Sequence, residues 1–176
     1  PLRYGFQSLP LPVDEMGVWL GYGELHKRVR FNSADHEIGD NVTREMTFGE
    51  THVGYYDRYR YVIRGKRGLP NKVITNIREL GLMDKRSHEK FIPEIYQYSS
   101  INDRIALLQG LMDTDGYIDY KGAMTFTTTS HQLAEEVRAL VWSLGGTAKI
   151  KTKIPYAVIK GVRVPGKKAY NVYIRV

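Results

Sequence analysis

The run LQGLMDTDG, which starts at Leu108, repeats in altered form a run 93 positions earlier, EMGVWLGYG, which starts at Glu15. Each is an apolar helical stretch with a glycine third from its start and another at its end. The glycines pair as Gly17 with Gly110 and Gly23 with Gly116. A second pair of stretches follows at an offset of 95: VRFNSADHEI from Val29 and MTFTTTSHQL from Met124. There Phe31 matches Phe126, His36 matches His131 and Ile38 matches Leu133. Two copies are too few for a solenoid, whose units need several neighbours to bury a continuous core. The repeat predicts an internal pseudo-dimer, with halves at 1–98 and 99–176 meeting about an approximate twofold.

The elements implied by pattern and punctuation recur in the same order. Residues 13–21 read as a short helix after a Pro-containing turn, with Asp14 and Glu15 in its first turn. Residues 24–32 alternate as one strand. Ser33 or Asp35 is expected to cap a helix reaching Arg44, interrupted by Gly39. Strands are predicted at 46–53 and 55–64, on either side of Gly54. Pro70 opens a helix to Leu80, which Gly81 ends. After a charged connection, MDKRSHEKFIPEIY, Asn102 or Asp103 caps a helix over 104–113. Strands at 117–120 and 123–128 flank Lys121 and Gly122. A helix capped by Ser130 runs to Leu144, and strands follow at 147–153, 156–160 and 169–176. The fold class is α+β, as two αββαββα-like halves.

Hydrophobic residues make up 42% of 176, enough for a genuine core, and no run of about 18 apolar residues suggests a membrane span. The opening residues lack the features of a secretory signal. With no cysteine, disulfide scaffolds, thiolate zinc sites and thiol nucleophiles are excluded, which suits a reducing, cytoplasmic compartment. The formal charge of +7 points to a polyanionic partner, because each neutralised phosphate releases counterions. The stretch YYDRYRYVIRGKR alternates aromatic and basic residues, so a strand there sets Arg58, Arg60 and Arg64 on one face. No zinc-protease, phosphate-loop, nucleophile-elbow or dinucleotide pattern is present.

LQGLMDTDG resembles the signature of the LAGLIDADG, or dodecapeptide, homing endonucleases. MGVWLGYGEL with VRFNSADHEI, and LLQGLMDTDGYI with MTFTTTSHQLAEEVRALVWSLGG, are similar to the two endonuclease blocks of inteins. The KFIP stretch between them resembles the intervening block. The resemblance implies a monomer with curved antiparallel sheets forming a saddle on double-stranded DNA, at a long asymmetric target. It also implies motif helices packed through Gly17 and Gly110, and Mg²⁺ or Mn²⁺ held where the helices end. It assigns catalysis to Asp115, with Lys90 and one of Lys149, Lys151 and Lys153, of which Lys151 is chosen. Metal contacts fall to Asp115, Gly21 and Tyr22. DNA contacts fall to Arg28, Arg30, Arg58, Arg60, Arg64, Lys66, Lys149 and Lys153.

One departure matters: Tyr22 stands where the pattern expects the first aspartate, and a neutral phenol is a poor ligand for Mg²⁺. Glu24, two positions on, is the candidate substitute. Cleavage of both strands, nicking of one, or DNA binding without cleavage all follow from different fates of that site. A DNA- or RNA-binding module of regulator or maturase type is the alternative class. With Pro1 first and no cysteine, the chain is not expected to splice by itself.

Overall fold

Pro12 fixes the backbone entry to α1 (Val13–Gly21) in the computed structural model, which describes residues 1–26, 29–34, 36–46, 51–57 and 59–176. There follow β1 (Gly23–Glu24), β2 (Arg30–Asn32), α2 (His36–Met46), β3 (Thr51–Asp57), β4 (Arg60–Gly65) and α3 (Lys72–Glu79). A 3₁₀ turn at Ser87–Glu89 and the single turn α4 (Glu94–Gln97) lead to the second half. That half comprises α5 (Ile101–Asp115), β5 (Gly116–Ile118), β6 (Met124–Thr128), α6 (His131–Ser143), β7 (Thr147–Lys153), β8 (Tyr156–Ile159), β9 (Val162–Pro165) and β10 (Ala169–Arg175).

The two sheets have one topology. The first runs β1-β2-β4-β3 and the second β5-β6-β10-β7, every pair antiparallel. In each, the strand after the motif helix lies at one edge and the last strand is threaded into the centre. The fold is therefore α+β with two pseudo-symmetric halves and open sheets. The β8–β9 hairpin is an insertion in the second half and pairs with neither sheet.

The core runs continuously through both halves. Trp19 meets Phe31 edge to face at 5.5 Å, and Phe31 stacks on Tyr61 at 4.8 Å. Phe126, the repeat partner of Phe31, is likewise fully buried. Arg104 is fully buried too, donating to Ser99 O, Ser143 Oγ and Leu2 O with its guanidinium over the Tyr4 ring. It stitches the first residues of the chain onto α5 and α6. Pro1 packs at Gly145 and Val176 at the adjoining Gly146.

Several sequence expectations are corrected. Residues 24–32 do not form one strand; β1 and β2 are separate antiparallel strands that set Glu24 opposite Arg30. α2 passes through Gly39 without interruption, because the missing β-carbon clears the Tyr61 hydroxyl; an added Cβ would sit 2.1 Å from it. Gly54 lies inside β3 rather than between strands, and the Arg64 side chain crosses it, with Nε 2.8 Å from where a Cβ would stand. α3 is capped by Asn71, whose Oδ1 accepts from Ile74 N, not opened by Pro70. α5 starts earlier than expected, capped by Ser100, and runs on to Asp115. β9 was not anticipated. Its turn is Lys160–Gly161, both at positive φ of 50° and 80°, the left-handed pair that a tight hairpin requires.

Candidate active site

α1 and α5 cross backbone to backbone. A β-carbon on Gly17 would lie 2.5 Å from the Gly110 carbonyl carbon, and one on Gly110 would lie 2.5 Å from Asp14 O. A Cβ on Gly21 would meet Thr114 Oγ1 at 2.1 Å. Only glycine permits this approach, so the ends of both helices come to one place. There α5 presents Asp115 and α1 presents Tyr22.

Asp115 lies within electrostatic reach of Lys90. Asp115 is solvent-accessible; partial desolvation between the packed helix ends raises its carboxyl above the ordinary value, and the Lys90 charge opposes that rise. Lys90 is 2% exposed, and its ammonium lies within hydrogen-bonding distance of four backbone oxygens, which share its three protons. These are Trp19 O at 3.0 Å, Leu20 O at 3.0 Å, Gly21 O at 3.1 Å and Gly23 O at 2.7 Å. Burial pushes this ammonium down to about 8, with the Asp115 charge holding it up. The negative end of the α1 dipole favours the charged form as well. The Lys90 carbonyl accepts from Ser130 Oγ at 2.6 Å, and Ile92 N donates to Glu136 Oε2 at 2.6 Å. The KFIP strap is thus held by α6 through its backbone and by α1 through its side chain. Lys90, expected as a catalytic group beside the reacting phosphate, is enclosed by the end of α1.

Glu24 is not a spare carboxylate. Arg30 Nε and Nη2 each donate to one of its oxygens at 2.6 Å, a bidentate pair. The hydrogen bond from Arg30 holds the Glu24 carboxyl below its ordinary value. Gly21, expected as a metal contact, has its carbonyl engaged by Lys90. Among the described residues no three His, Cys, Asp or Glu side chains converge. A hard divalent cation takes oxygen ligands, and the carboxylate available at the helix ends is Asp115. The donor set fits a single ion beside Asp115.

The outer sheet faces differ between the halves. In the first, Arg30 and Arg60 are both beside acids, Arg60 Nη1 lying 3.4 Å from Asp57 Oδ2. Arg64 is exposed on the same face of β4 as Arg60, and Lys66 is exposed just past that strand. Arg28 and Arg58 lie outside the described residues. In the second half, the register aligns Tyr117, Thr125, Tyr173 and Lys149 in one row, and Thr127, Asn171 and Lys151 in the next. Lys149, Lys151 and Lys153 are all exposed on this face of β7. Lys151 lies over the Tyr173 ring, with Nζ 5.3 Å from its centroid. β7 is three strands from β5, so about 14 Å of sheet separates Lys151 from the end of α5. The fold does not bring it beside Asp115; it belongs to the face.

Sequence reasoning missed how far the basic set continues beyond this face. The 30 residues from Thr147 to Val176 contain eight Lys and Arg and no Asp or Glu. The acid-free run was the available signal. It adds Lys160, Arg163, Lys167, Lys168 and Arg175 to the basic set, and Arg163 stacks on Tyr156 at 4.5 Å.

Fold and site define a pseudo-dimeric α+β protein with one acid at a glycine-packed helix junction. Residues 102–168 match the family model of the LAGLIDADG-like domain, and the whole chain shares the fold of a LAGLIDADG homing endonuclease. A structure of mesophilic variants of the homing endonuclease I-DmoI superposes with a TM-score of 0.55 at 14% identity, covering 95% of this chain and 89% of that one. I-DmoI in complex with DNA and Mn gives 0.55 at 15% identity, covering 94% and 89%. At these identities the likeness is one of fold. Replicative DNA helicase DnaB of Mycobacterium intracellulare is 30% identical over 81% of this chain and 20% of that protein. Protein RecA of Mycobacterium tuberculosis is 27% identical over 96% of this chain and 24% of that protein. The chain spans about a fifth to a quarter of the length of these relatives.

Proposed function

We infer that this chain binds a long asymmetric site in double-stranded DNA and hydrolyses a phosphodiester next to Asp115. The observation that carries this reading is the Asp115 carboxylate, solvent-accessible at the base of a glycine-packed helix pair and within electrostatic reach of Lys90, beside a sheet with a basic outer face. Halves 1–98 and 99–176 each supply one sheet, so one copy of the chain provides both arms of the interface. Lys149, Lys151, Lys153, Arg64 and Lys66 contact phosphates, while Thr125, Thr127 and Asn171 offer hydrogen-bonding groups to base edges.

Mg²⁺ or Mn²⁺ is the expected cofactor, held by Asp115; structures of I-DmoI with DNA include Mn in one case and Ca in another. Such an ion supplies Lewis acidity toward a phosphate oxygen and lowers the pKa of water. Asp115 would hold it at the solvent-accessible end of α5.

The helicase and RecA relatives, of which this chain matches a fraction, support a unit carried within a longer polypeptide, as an intein endonuclease is, and therefore a cytoplasmic setting.

The test is strand-resolved cleavage, on a denaturing gel with Mg²⁺, of a duplex selected by the protein from a random library. A nick in one strand is expected. Tight binding without any cut would instead favour a cleavage-inactive binding module, the second reading, which Tyr22 and the Arg30-bound Glu24 support. Cuts in both strands would sink the single-acid site.

A further inference from the structure

We propose that Lys90 is a built-in cation for the first motif: its ammonium fills the oxygen cradle at the end of α1 that a divalent ion would otherwise share, so the chain holds one exchangeable ion rather than two. Four carbonyl oxygens within 3.1 Å of one nitrogen form a donor set of the kind that binds hard cations. The backbone is folded tightly to aim them. A Cβ on Gly23 would stand 2.3 Å from Trp19 O, and one on Gly21 would strike Thr114. These oxygens include carbonyls of the last turn of α1, which lack partners within the helix.

The lysine is not free to leave. The backbone that carries it is anchored, its own carbonyl bonded to Ser130 at the start of α6 and the N–H of Ile92 to Glu136 of α6, and its ammonium leaves four acceptors unsatisfied if it withdraws. The charged groups acting on it are Asp115 and the α1 C-terminus. Position 22 lies between two of the four donors, Gly21 and Gly23. A carboxylate placed there would meet an ammonium first. Tyr22→Asp alone therefore creates an ion pair and not a second metal site.

Two measurements test this. The first needs no DNA: Lys90→Ala melts about 10 °C below the natural protein, because three buried acceptors and one part-buried acceptor lose their donor. Added methylammonium recovers most of that loss in Lys90→Ala and leaves the natural protein unchanged. Lys90→Gln, which retains amide donors, gives a smaller loss and serves if Lys90→Ala does not fold. An unchanged melting temperature in Lys90→Gln, or a folded Lys90→Ala that methylammonium does not recover, would overturn the cradle.

The second counts Mn²⁺ by electron paramagnetic resonance on the complex with a selected duplex, and it rests on the proposed function. One ion is expected in the natural chain, one in Tyr22→Asp and two in Tyr22→Asp with Lys90→Gln. Two ions in the natural chain, or in Tyr22→Asp alone, would overturn the inference. Failure to bind any duplex would count against the proposed function, while the melting measurement still decides the cradle.

Discussion

α1 and α5 are copies that end differently. Both pack through glycine, and both lead directly into the edge strand of a four-stranded sheet. At the end of α5 stands a carboxylate whose partial desolvation raises its pKa. At the end of α1 stands a tyrosine packed partly on the core, with a lysine ammonium over the carbonyls behind it. The same division holds on the sheets: the first half sets Arg30 and Arg60 beside acids, whereas the last 30 residues carry eight basic side chains and no acid. A backbone arrangement can persist after chemistry has drifted, because packing restricts the glycines and leaves the residue between them free to change.

The largest contrast is expected in activity. Asp115→Asn should lower cleavage on the order of a thousandfold with little change in DNA affinity, while Tyr22→Phe leaves the rate unchanged. Single-turnover kinetics beside a binding titration measures both. An equal loss in the two variants would erase the asymmetry.

Next comes the shared feature. Gly17→Ala and Gly110→Ala should each destabilise by about 3 kcal/mol in urea, since either methyl meets backbone that no rotamer change can move. Unequal costs would show that one helix yields more than the other.

Binding should sharpen the comparison of the sheets. Each of Lys149→Gln, Lys151→Gln and Lys153→Gln should reduce the slope of log K against log salt by about one. Arg60→Gln, already beside Asp57, should reduce it less.

The smallest effect concerns pH. The Glu24 carboxyl is depressed in the folded state, so it adds stability above its ordinary value of 4.5, lost as pH falls through the folded value. Asp115 is raised, so its contribution is fully present below 3.8 and lost as pH rises through the folded value. Melting curves from pH 3 to 7 should therefore change in opposite senses for Glu24→Gln and Asp115→Asn. The Glu24 share is a few tenths of a kcal/mol, as its pair is solvent-screened.

The repeat, the order of elements and the glycine crossing were legible because they depend on local periodicity and on residues with one steric reason to be there. The start of α5 was legible in principle: Ser100 accepts from Asp103 N while its hydroxyl donates to Asp103 Oδ2, a cap three residues long that Asn102 and Asp103 obscured. The role of Lys90 was not legible, because its acceptors stand 67 to 71 positions away and no pattern in KFIP points to them. Nor was the engagement of Glu24, which depends on β1 and β2 being separate antiparallel strands where alternation alone suggested a continuous one. β8 was legible as a strand at 156–160, but its partner β9 was not, because all the residues of this hairpin are exposed and no buried face imposes a pattern.

Under the proposed function, the glycine crossing sets a length. Where backbone meets backbone, no side chain can change rotamer to take up slack, so the two sheets behave as the jaws of a locked caliper. One base pair inserted between the half-sites of a DNA target moves them about 3.4 Å apart and turns them by about 35°. With Gly17 against Gly110, the protein has no soft joint with which to follow.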